Sequence, residues 1–102
     1  MANYQMNMKE DHQINNEKFL KYCCSDTIEK VKFYVEEKKV RPDLNRCKGL
    51  SQALYNNSVN VIHYLLSKDE VTNSVYFKEV VNKNKNTNSK KIVEKINAIK
   101  NF

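Results

Sequence analysis

Apolar residues in this chain fall into paired segments with helical spacing, and the pairs recur at an offset of 31 residues. The clearest pair lies in Lys48–Leu66, where two amphipathic patterns flank a polar break at Asn57-Ser58. The same offset superimposes Asp26 on Asn57 and Asn57 on Asn88, with apolar residues aligned after each break. Before the last break the apolar segment lies 27 residues beyond its equivalent, and a longer polar loop restores the offset. Because a helix pair of this length cannot bury its apolar face alone, the pattern predicts helical hairpins that stack on their neighbours.

The breaks carry residues that end one helix and start the next. Asn57 is predicted to take the left-handed conformation after a helix, and Ser58 to cap the helix that follows. Asn15 or Asn16 would cap the first helix in the same way. The predicted helices cover about 16–24, 27–38, 49–55, 59–66 and 74–82, and a last helix follows its cap at Ser89. Loops are predicted at 44–48, 67–73 and 82–88.

Helical spacing also predicts which side chains face the core. Each predicted helix carries apolar residues separated by three, four or seven positions. The predicted core residues are Phe19, Leu20, Tyr22, Cys23, Ile28, Val31, Tyr34, Val35, Leu50, Ala53, Leu54, Val59, Val61, Ile62, Tyr64, Leu65, Leu66, Val75, Phe77, Val80, Val81, Ile92, Val93, Ile96 and Ile99.

A chain of 102 residues with one Gly and one Pro favours a single all-helical domain over a multi-stranded sheet. No apolar run approaches the ~18 residues of a membrane span. The polar N-terminal segment lacks the apolar stretch of a signal peptide. Three cysteines without CxxC spacing fit a reducing compartment better than a disulfide scaffold. We therefore expect an intracellular, cytoplasmic protein with no membrane association.

Two stretches resemble the ankyrin repeat, whose pattern runs T-P-L-H-x-A-A, two variable residues, then G-H-L-E-I-V-K-L-L-L. Residues 49–66 are similar to the whole pattern, with Lys48-Gly49 in place of Thr-Pro and Ser51 in place of His. Asp26–Val35 is similar to the second half of the pattern, and 40–45 is similar to its hairpin segment. The resemblance covers 16–102 and implies an all-α, ankyrin-like solenoid of about three helix-turn-helix repeats.

The resemblance divides the chain into a flexible or loosely docked arm at 1–15 and a repeat domain at 16–102. The implied units are about 16–47, 48–73 and 74–102. The arm shows no hydrophobic period, and the third unit matches the family only in the spacing of its apolar residues. A plain helical bundle is therefore the alternative architecture.

The resemblance also implies a surface for binding another protein. In ankyrin repeats the first helices and hairpin tips line a concave face, and the last residues of each first helix vary with the partner. Tyr55 is the best anchor candidate, with Arg46 beside it, because an exposed tyrosine offers a large contact area at a small entropic cost. The implied partner-binding residues are Lys21, Cys24, Ser25, Arg46, Lys48, Gln52, Tyr55, Asn56, Glu79, Asn82 and Lys83.

We therefore expect a non-catalytic module that acts by occlusion or scaffolding, as an inhibitor or adaptor. Its small size and its Asn and Lys content raise the hypothesis of a viral or host-modulating inhibitor in the host cytoplasm.

Positive charge is concentrated at the C-terminal end. Residues 78–102 hold seven Lys and two Glu, and so carry +5 of the net charge of +6. Such a basic unit is compatible with nucleic-acid binding, but a solubilising end unit is the favoured interpretation. The alternative function is therefore a nucleic-acid-associated protein that uses this unit. The residues expected to carry it are Lys83, Lys85, Lys90, Lys91 and Lys95.

Catalysis and metal binding find little support in the sequence. His12 lies in the arm, and His63 occupies a position that is usually on the surface of an ankyrin repeat. Cys23 and Cys24 are adjacent, so their side chains diverge on a helix and do not readily share a metal. Cys23 is predicted to be in the core and Cys24 on the open face. A zinc site that combines one of the cysteines with a histidine is the alternative. We expect no catalytic residues, no metal and no cofactor.

Overall fold

The computed structural model describes the backbone of residues 4–85 and 89–100, and the side chains of residues 11–85 and 89–99. Every regular element in these ranges is a helix, and they contain no strand, which confirms the all-α prediction. The helices are α1 (Tyr4–Cys24), α2 (Ile28–Glu36), α3 (Leu44–Asn56), α4 (Val59–Leu66), α5 (Asp69–Thr72), α6 (Phe77–Lys83) and α7 (Lys90–Lys100).

Helix α1 begins at Tyr4, well before the predicted start near residue 16. Asn15 and Asn16 therefore lie inside the helix, and the prediction that one of them caps it is wrong. The side chains of residues 11–14 are exposed, so this part of the helix carries no buried stripe for a period-based prediction to detect. The segment predicted as an arm is thus helical from Tyr4 onward. Its separation from the repeat domain stays a prediction.

Helix α3 opens with three residues in the left-handed conformation, Asn45, Arg46 and Cys47, with φ of 51°, 59° and 60°. The predicted loop before this helix is therefore a left-handed turn, and regular right-handed helix follows it. The guanidinium of Arg41 donates to both carboxylate oxygens of Asp43 at 3.0 and 3.1 Å. These hydrogen bonds raise the pKa of Arg41. They also occupy the side chain of Asp43, the residue that precedes α3.

The helices pack in a connected series. Helix α1 contacts α2 and α3, α3 contacts α4 and α6, α2 contacts α4, and α6 contacts α7. The first members of successive hairpins, α1, α3 and α6, are therefore neighbours in chain order. The buried hydrophobic residues between the helices are Phe19, Cys23, Val31, Tyr34, Val40, Cys47, Leu50, Ala53, Leu54, Val61, Ile62, Leu65, Val71, Phe77, Val80, Val81, Val93 and Ile96.

The predicted core differs from this set at a few positions. Val75 and Ile99 are 87% and 78% exposed, because Val75 precedes α6 in a turn and Ile99 lies in the last turns of α7. Val59, at the start of α4, is also exposed. Val71 is fully buried in α5, a short helix within the predicted connection at 67–73. A single apolar residue in a polar stretch gives no periodic signal, so the sequence analysis missed it.

The two breaks at Asp26 and Asn57 have the same backbone conformation, with φ of 55° and 54°. This confirms that Asn57 ends α3 in the left-handed conformation. Ser58 precedes α4, but its hydroxyl donates to the carbonyl oxygen of Cys24 at 3.0 Å and makes no capping bond. The predicted capping bond is therefore wrong. The equivalent hydroxyl 31 residues later, on Ser89, donates to the carbonyl oxygen of Leu54. The same type of bond thus joins one hairpin to the next at both junctions.

The acceptor that caps α4 comes from the preceding hairpin. Asp26 Oδ1 accepts from the backbone N–H of Val61 at 2.9 Å, and Asp26 Oδ2 accepts from Asn60 Nδ2 at 3.1 Å. Val61 is the third residue of α4, and its N–H is one of those left without an intrahelical partner. The carboxylate of one unit therefore stabilises the helix start of the next.

The three cysteines are all free thiols but differ in exposure. Cys23 and Cys47 are fully buried, and burial raises the pKa of both thiols. Cys24 is partly exposed at the end of α1. The predicted contrast between a core Cys23 and a more open Cys24 is thus confirmed.

A thiol-reactive disulfide reagent at mildly alkaline pH is expected to label Cys24 rapidly in the folded protein. Cys23 and Cys47 should react only as fast as the protein opens, because the thiolate is the reacting form and both thiols are buried and neutral. The control is Cys24→Ser, which should remove the fast phase. When denaturant is added to this variant, its two remaining thiols should react. A fast phase that persists in Cys24→Ser would contradict the buried placement of the other two.

None of the helices that the structure describes combines the length and the apolar character needed to cross a bilayer.

Candidate binding face

Most of the predicted partner-binding residues lie at or next to the C-terminal ends of the first helices, whereas Arg46, Lys48 and Glu79 lie near helix starts. Helix α1 ends at Cys24, α3 at Asn56 and α6 at Lys83. The predicted ends, at residues 24, 55 and 82, lie within one residue of the observed ones. We refer to the set formed by Lys21, Cys24, Ser25, Arg46, Lys48, Gln52, Tyr55, Asn56, Glu79, Asn82 and Lys83 as the first-helix face.

A groove of about 230 Å³ lies between α3 and α6 and brings four of these residues together. Arg46 and Lys48 lie on the α3 side, and Glu79 and Lys83 on the α6 side. All four side chains are exposed, so their charged ends are accessible to a ligand. We refer to this site as the α3–α6 groove. Its remaining described lining is Asn45, Ser51, Tyr76 and Val80.

Tyr76 is the residue of this groove that sequence reasoning missed. The guanidinium of Arg46 lies over its ring, 5.4 Å from the centroid. A guanidinium at this distance from an aromatic face makes a cation–π interaction of about 0.5–1 kcal/mol at an exposed site. This contact with Tyr76 was not predicted, and the expectation that Arg46 also flanks Tyr55 stays a prediction. In the sequence Tyr76 is an aromatic residue just before α6. It lies outside the positions that vary with the partner in ankyrin repeats, and so it was not assigned to the binding face.

The ends of α1 and α3 are joined through their side chains. Cys24 Sγ lies 3.4 Å from Gln52 Oε1, and Asn56 Nδ2 donates to the carbonyl oxygen of Gln52 at 2.8 Å. Ser25 Oγ lies 2.7 Å from Thr27 Oγ1, where either hydroxyl is able to donate. The contact between Cys24 and Gln52 joins the end of α1 to α3, and the other two are local. Four residues predicted to contact the partner also contact one another or neighbouring backbone in the folded chain, namely Cys24, Ser25, Gln52 and Asn56.

Tyr55 is 64% exposed, one residue before the end of α3. This exposure is compatible with its predicted role as an anchor. Lys21 is exposed on α1, and Asn82 is half-buried on α6. The assignment of these residues to a partner stays a prediction.

The lysines of the alternative nucleic-acid site are divided between two places. Lys83 lines the α3–α6 groove, whereas Lys90, Lys91 and Lys95 line a different groove between α4 and α7. Lys85 lies in the turn after α6 and is exposed. The five predicted residues therefore do not form a single lining in this structure.

The groove between α4 and α7 is larger, about 700 Å³, and its walls are mainly apolar. We refer to it as the α4–α7 groove. All five apolar residues in its described lining were predicted to lie in the core, so no surface was predicted there. The described residues that line it are Asn57, Val59, His63, Leu66, Ser89, Lys90, Lys91, Ile92, Lys95, Ile96 and Ile99.

Within the part of the chain that the structure describes, no group of three or more His, Cys, Asp and Glu residues is arranged to hold a metal ion. Comparison with known proteins gives no assignment either, because the chain matches no family model, no curated protein and no solved structure.

Proposed function

We propose that this protein is an ankyrin-like helical repeat protein that binds a partner protein through its first-helix face. Three features support the repeat arrangement: left-handed residues 31 positions apart, serine hydroxyl bonds at both hairpin junctions, and first helices that contact in chain order. The proposed action is non-catalytic, by occlusion or scaffolding, as an inhibitor or adaptor inside the cell.

The observation that carries the proposal is the α3–α6 groove. It gathers side chains from two successive units, Arg46 and Lys48 from one and Glu79 and Lys83 from the next. A partner that enters this groove therefore contacts both units at once. The groove combines an aromatic ring, three cations and one carboxylate, and Arg and Tyr are the residue types enriched at the energetic centres of protein interfaces. Mixed charge of this kind favours a polar protein surface over a uniformly anionic ligand.

Photo-crosslinking in the cells that produce the protein tests the proposal. A photoreactive phenylalanine analogue in place of Tyr55 or Lys48 is expected to trap one protein partner, identified by mass spectrometry. The matched control carries the analogue in place of Phe33, an exposed aromatic residue on α2, and should not trap that partner.

With the partner in hand, Tyr55→Ala and Arg46→Ala are each expected to weaken binding about tenfold or more, the effect of losing an interface anchor. Phe33→Ala should leave the affinity unchanged. If Phe33→Ala weakens binding and the two first-helix-face variants do not, the partner sits on the second helices and the proposal is wrong.

The nucleic-acid alternative rests on the exposed lysines of α7, Lys90, Lys91 and Lys95. It predicts duplex binding that falls steeply between low and moderate salt. Reversing these three charges should then abolish binding to the duplex. Under the main proposal, the same triple variant retains its partner protein.

A further inference from the structure

The α4–α7 groove is an apolar channel with a positively charged rim, on helices outside the first-helix face. Its apolar wall includes Leu66 from α4 and Ile92 and Ile96 from α7. At the edges, Val59 and Ile99 are 37% and 78% exposed. A volume of about 700 Å³ places it among ligand-sized sites, although it is open to solvent rather than enclosed. Exposed aliphatic residues around an open channel mark a surface that a macromolecule covers.

The charge of the rim is of one sign. Lys90, Lys91 and Lys95 line the groove with exposed side chains, and His63 lies on the α4 side. None of the described lining residues is a carboxylate. The one acidic residue of α7, Glu94, is exposed but does not line the groove. The site therefore combines an aliphatic floor with cations that favour carboxylates.

We propose that the α4–α7 groove binds an acidic amphipathic helix of a partner protein. Helices pack by fitting the side-chain ridges of one into the grooves of another, and an apolar groove on a protein surface is a common docking site for an amphipathic helix. The apolar stripe of that helix would cover Ile92, Ile96 and Ile99, and its flanking Glu or Asp residues would face the lysines. The eight residues of α4 and eleven of α7 match a partner helix of about two to three turns. This inference goes beyond the proposed function, since it concerns a separate surface.

Other occupants fit the groove less well. A second copy of this chain would bring its own three lysines against these, and like charges across an interface are repulsive. A small molecule would stay largely exposed, whereas small-molecule sites bury most of their ligand. Single-stranded nucleic acid binds through stacking on aromatic side chains, and the described lining has none apart from the imidazole of His63.

The test is the binding of a labelled synthetic helical peptide to the full chain, measured by fluorescence anisotropy. The probe has Leu at helical positions i, i+3, i+4 and i+7 and Glu on both flanks of that stripe. One control peptide has the same composition in scrambled order, and the other has Lys in place of Glu. In a separate experiment, an unlabelled DNA duplex is added as a competitor of the labelled stripe peptide. The stripe peptide is expected to bind about tenfold or more tightly than either control peptide, and the duplex should not displace it.

Variants of exposed groove residues then locate the peptide. Ile99→Asn and Lys91→Glu are each expected to weaken binding about tenfold. The matched controls are Val75→Asn, an exposed valine in a turn, and Lys30→Glu, an exposed lysine on α2. Neither control should change the affinity. All four residues are on the surface, so the fold is retained.

Equal binding of the scrambled peptide, displacement by the duplex, or unchanged affinity of Ile99→Asn and Lys91→Glu would overturn the proposal. Tyr55→Ala separates it from the proposed function, because this variant should bind the stripe peptide normally. If the peptide fails to bind while capture of a partner still depends on Tyr55, only the α4–α7 proposal is lost.

Discussion

Replacing Phe19 with alanine is expected to lower the free energy of unfolding by about 3–5 kcal/mol, the usual cost of truncating a fully buried phenylalanine. Phe19 is completely buried where α1 packs against α3. Its ring also passes close to Gly49, the only glycine of the chain. A Cβ atom on Gly49 would lie 2.8 Å from Phe19 Cε2, 3.0 Å from Phe19 Cζ and 3.3 Å from Cys23 Sγ. The two helices thus approach closely because one of them has no side chain at this point.

This geometry makes the effect of Gly49→Ala depend on Phe19. In the natural background the added methyl group meets the fully buried ring of Phe19, so one of the two groups must shift, and overpacking costs about 1–3 kcal/mol. The gain in helix propensity offsets about 1 kcal/mol of that cost. In the Phe19→Ala background the conflict with the ring is removed and only the 3.3 Å approach to Cys23 Sγ remains, so Gly49→Ala should stabilise the protein by up to about 1 kcal/mol. The sign of the Gly49→Ala effect therefore reverses between the two backgrounds.

Urea unfolding followed by far-ultraviolet circular dichroism measures all four members of this cycle. A stabilising osmolyte in every sample keeps the weakest variant folded at low urea. The expected coupling free energy is about 1–3 kcal/mol, as for residues in direct contact. Additive effects of the two substitutions would contradict the close approach of α1 and α3 at Gly49.

The sequence predicted the fold class and most helix ends because periodic apolar residues and polar breaks are local signals. Asn57 is such a signal, since the residue types that tolerate a left-handed conformation are few. The glycine at 49 was noted only as a departure from Thr-Pro. Its close contact with Phe19 depends on how two helices cross, and no local pattern contains that information. The early start of α1 was missed for a related reason, because its exposed residues have no apolar stripe.

The candidate site was predicted in part. Helix ends located Cys24, Asn56 and Lys83, and the structure brings Arg46, Lys48, Glu79 and Lys83 into one groove. Two features of the site were not predicted. Arg46, which contacts Tyr76, lies in the left-handed turn at 45–47, and only Asn45 in that turn is a residue type that favours this conformation. The α4–α7 groove exists because Ile99 and Val59 remain exposed at their helix ends, and spacing alone assigns them to the core.

Replacing Asp26 with alanine is expected to lower the free energy of unfolding by about 2–3 kcal/mol, although Asp26 is only half-buried. The first part of the cost is the loss of the carboxylate that accepts from the N–H of Val61 and from Asn60, and removal of a cap costs about 0.5–2 kcal/mol. The second part is the left-handed backbone of Asp26, at φ 55°, which costs an alanine about 1–2 kcal/mol. Urea unfolding provides the measurement.

Two further variants separate these contributions. Asp26→Gly removes the side-chain bonds but tolerates the left-handed backbone, so it should cost about 1 kcal/mol, less than alanine. Asp26→Asn keeps an oxygen that can accept from the N–H of Val61 and also tolerates the left-handed backbone. Its cost should be about 0.5 kcal/mol, from loss of a negative charge at the start of α4.

Because Asp26 and Val61 belong to successive hairpins, this order of effects tests whether the junction between the hairpins is stabilised by the side chain of Asp26. Equal costs for glycine and alanine would mean that the backbone contributes nothing, and an asparagine variant as unstable as alanine would contradict the cap.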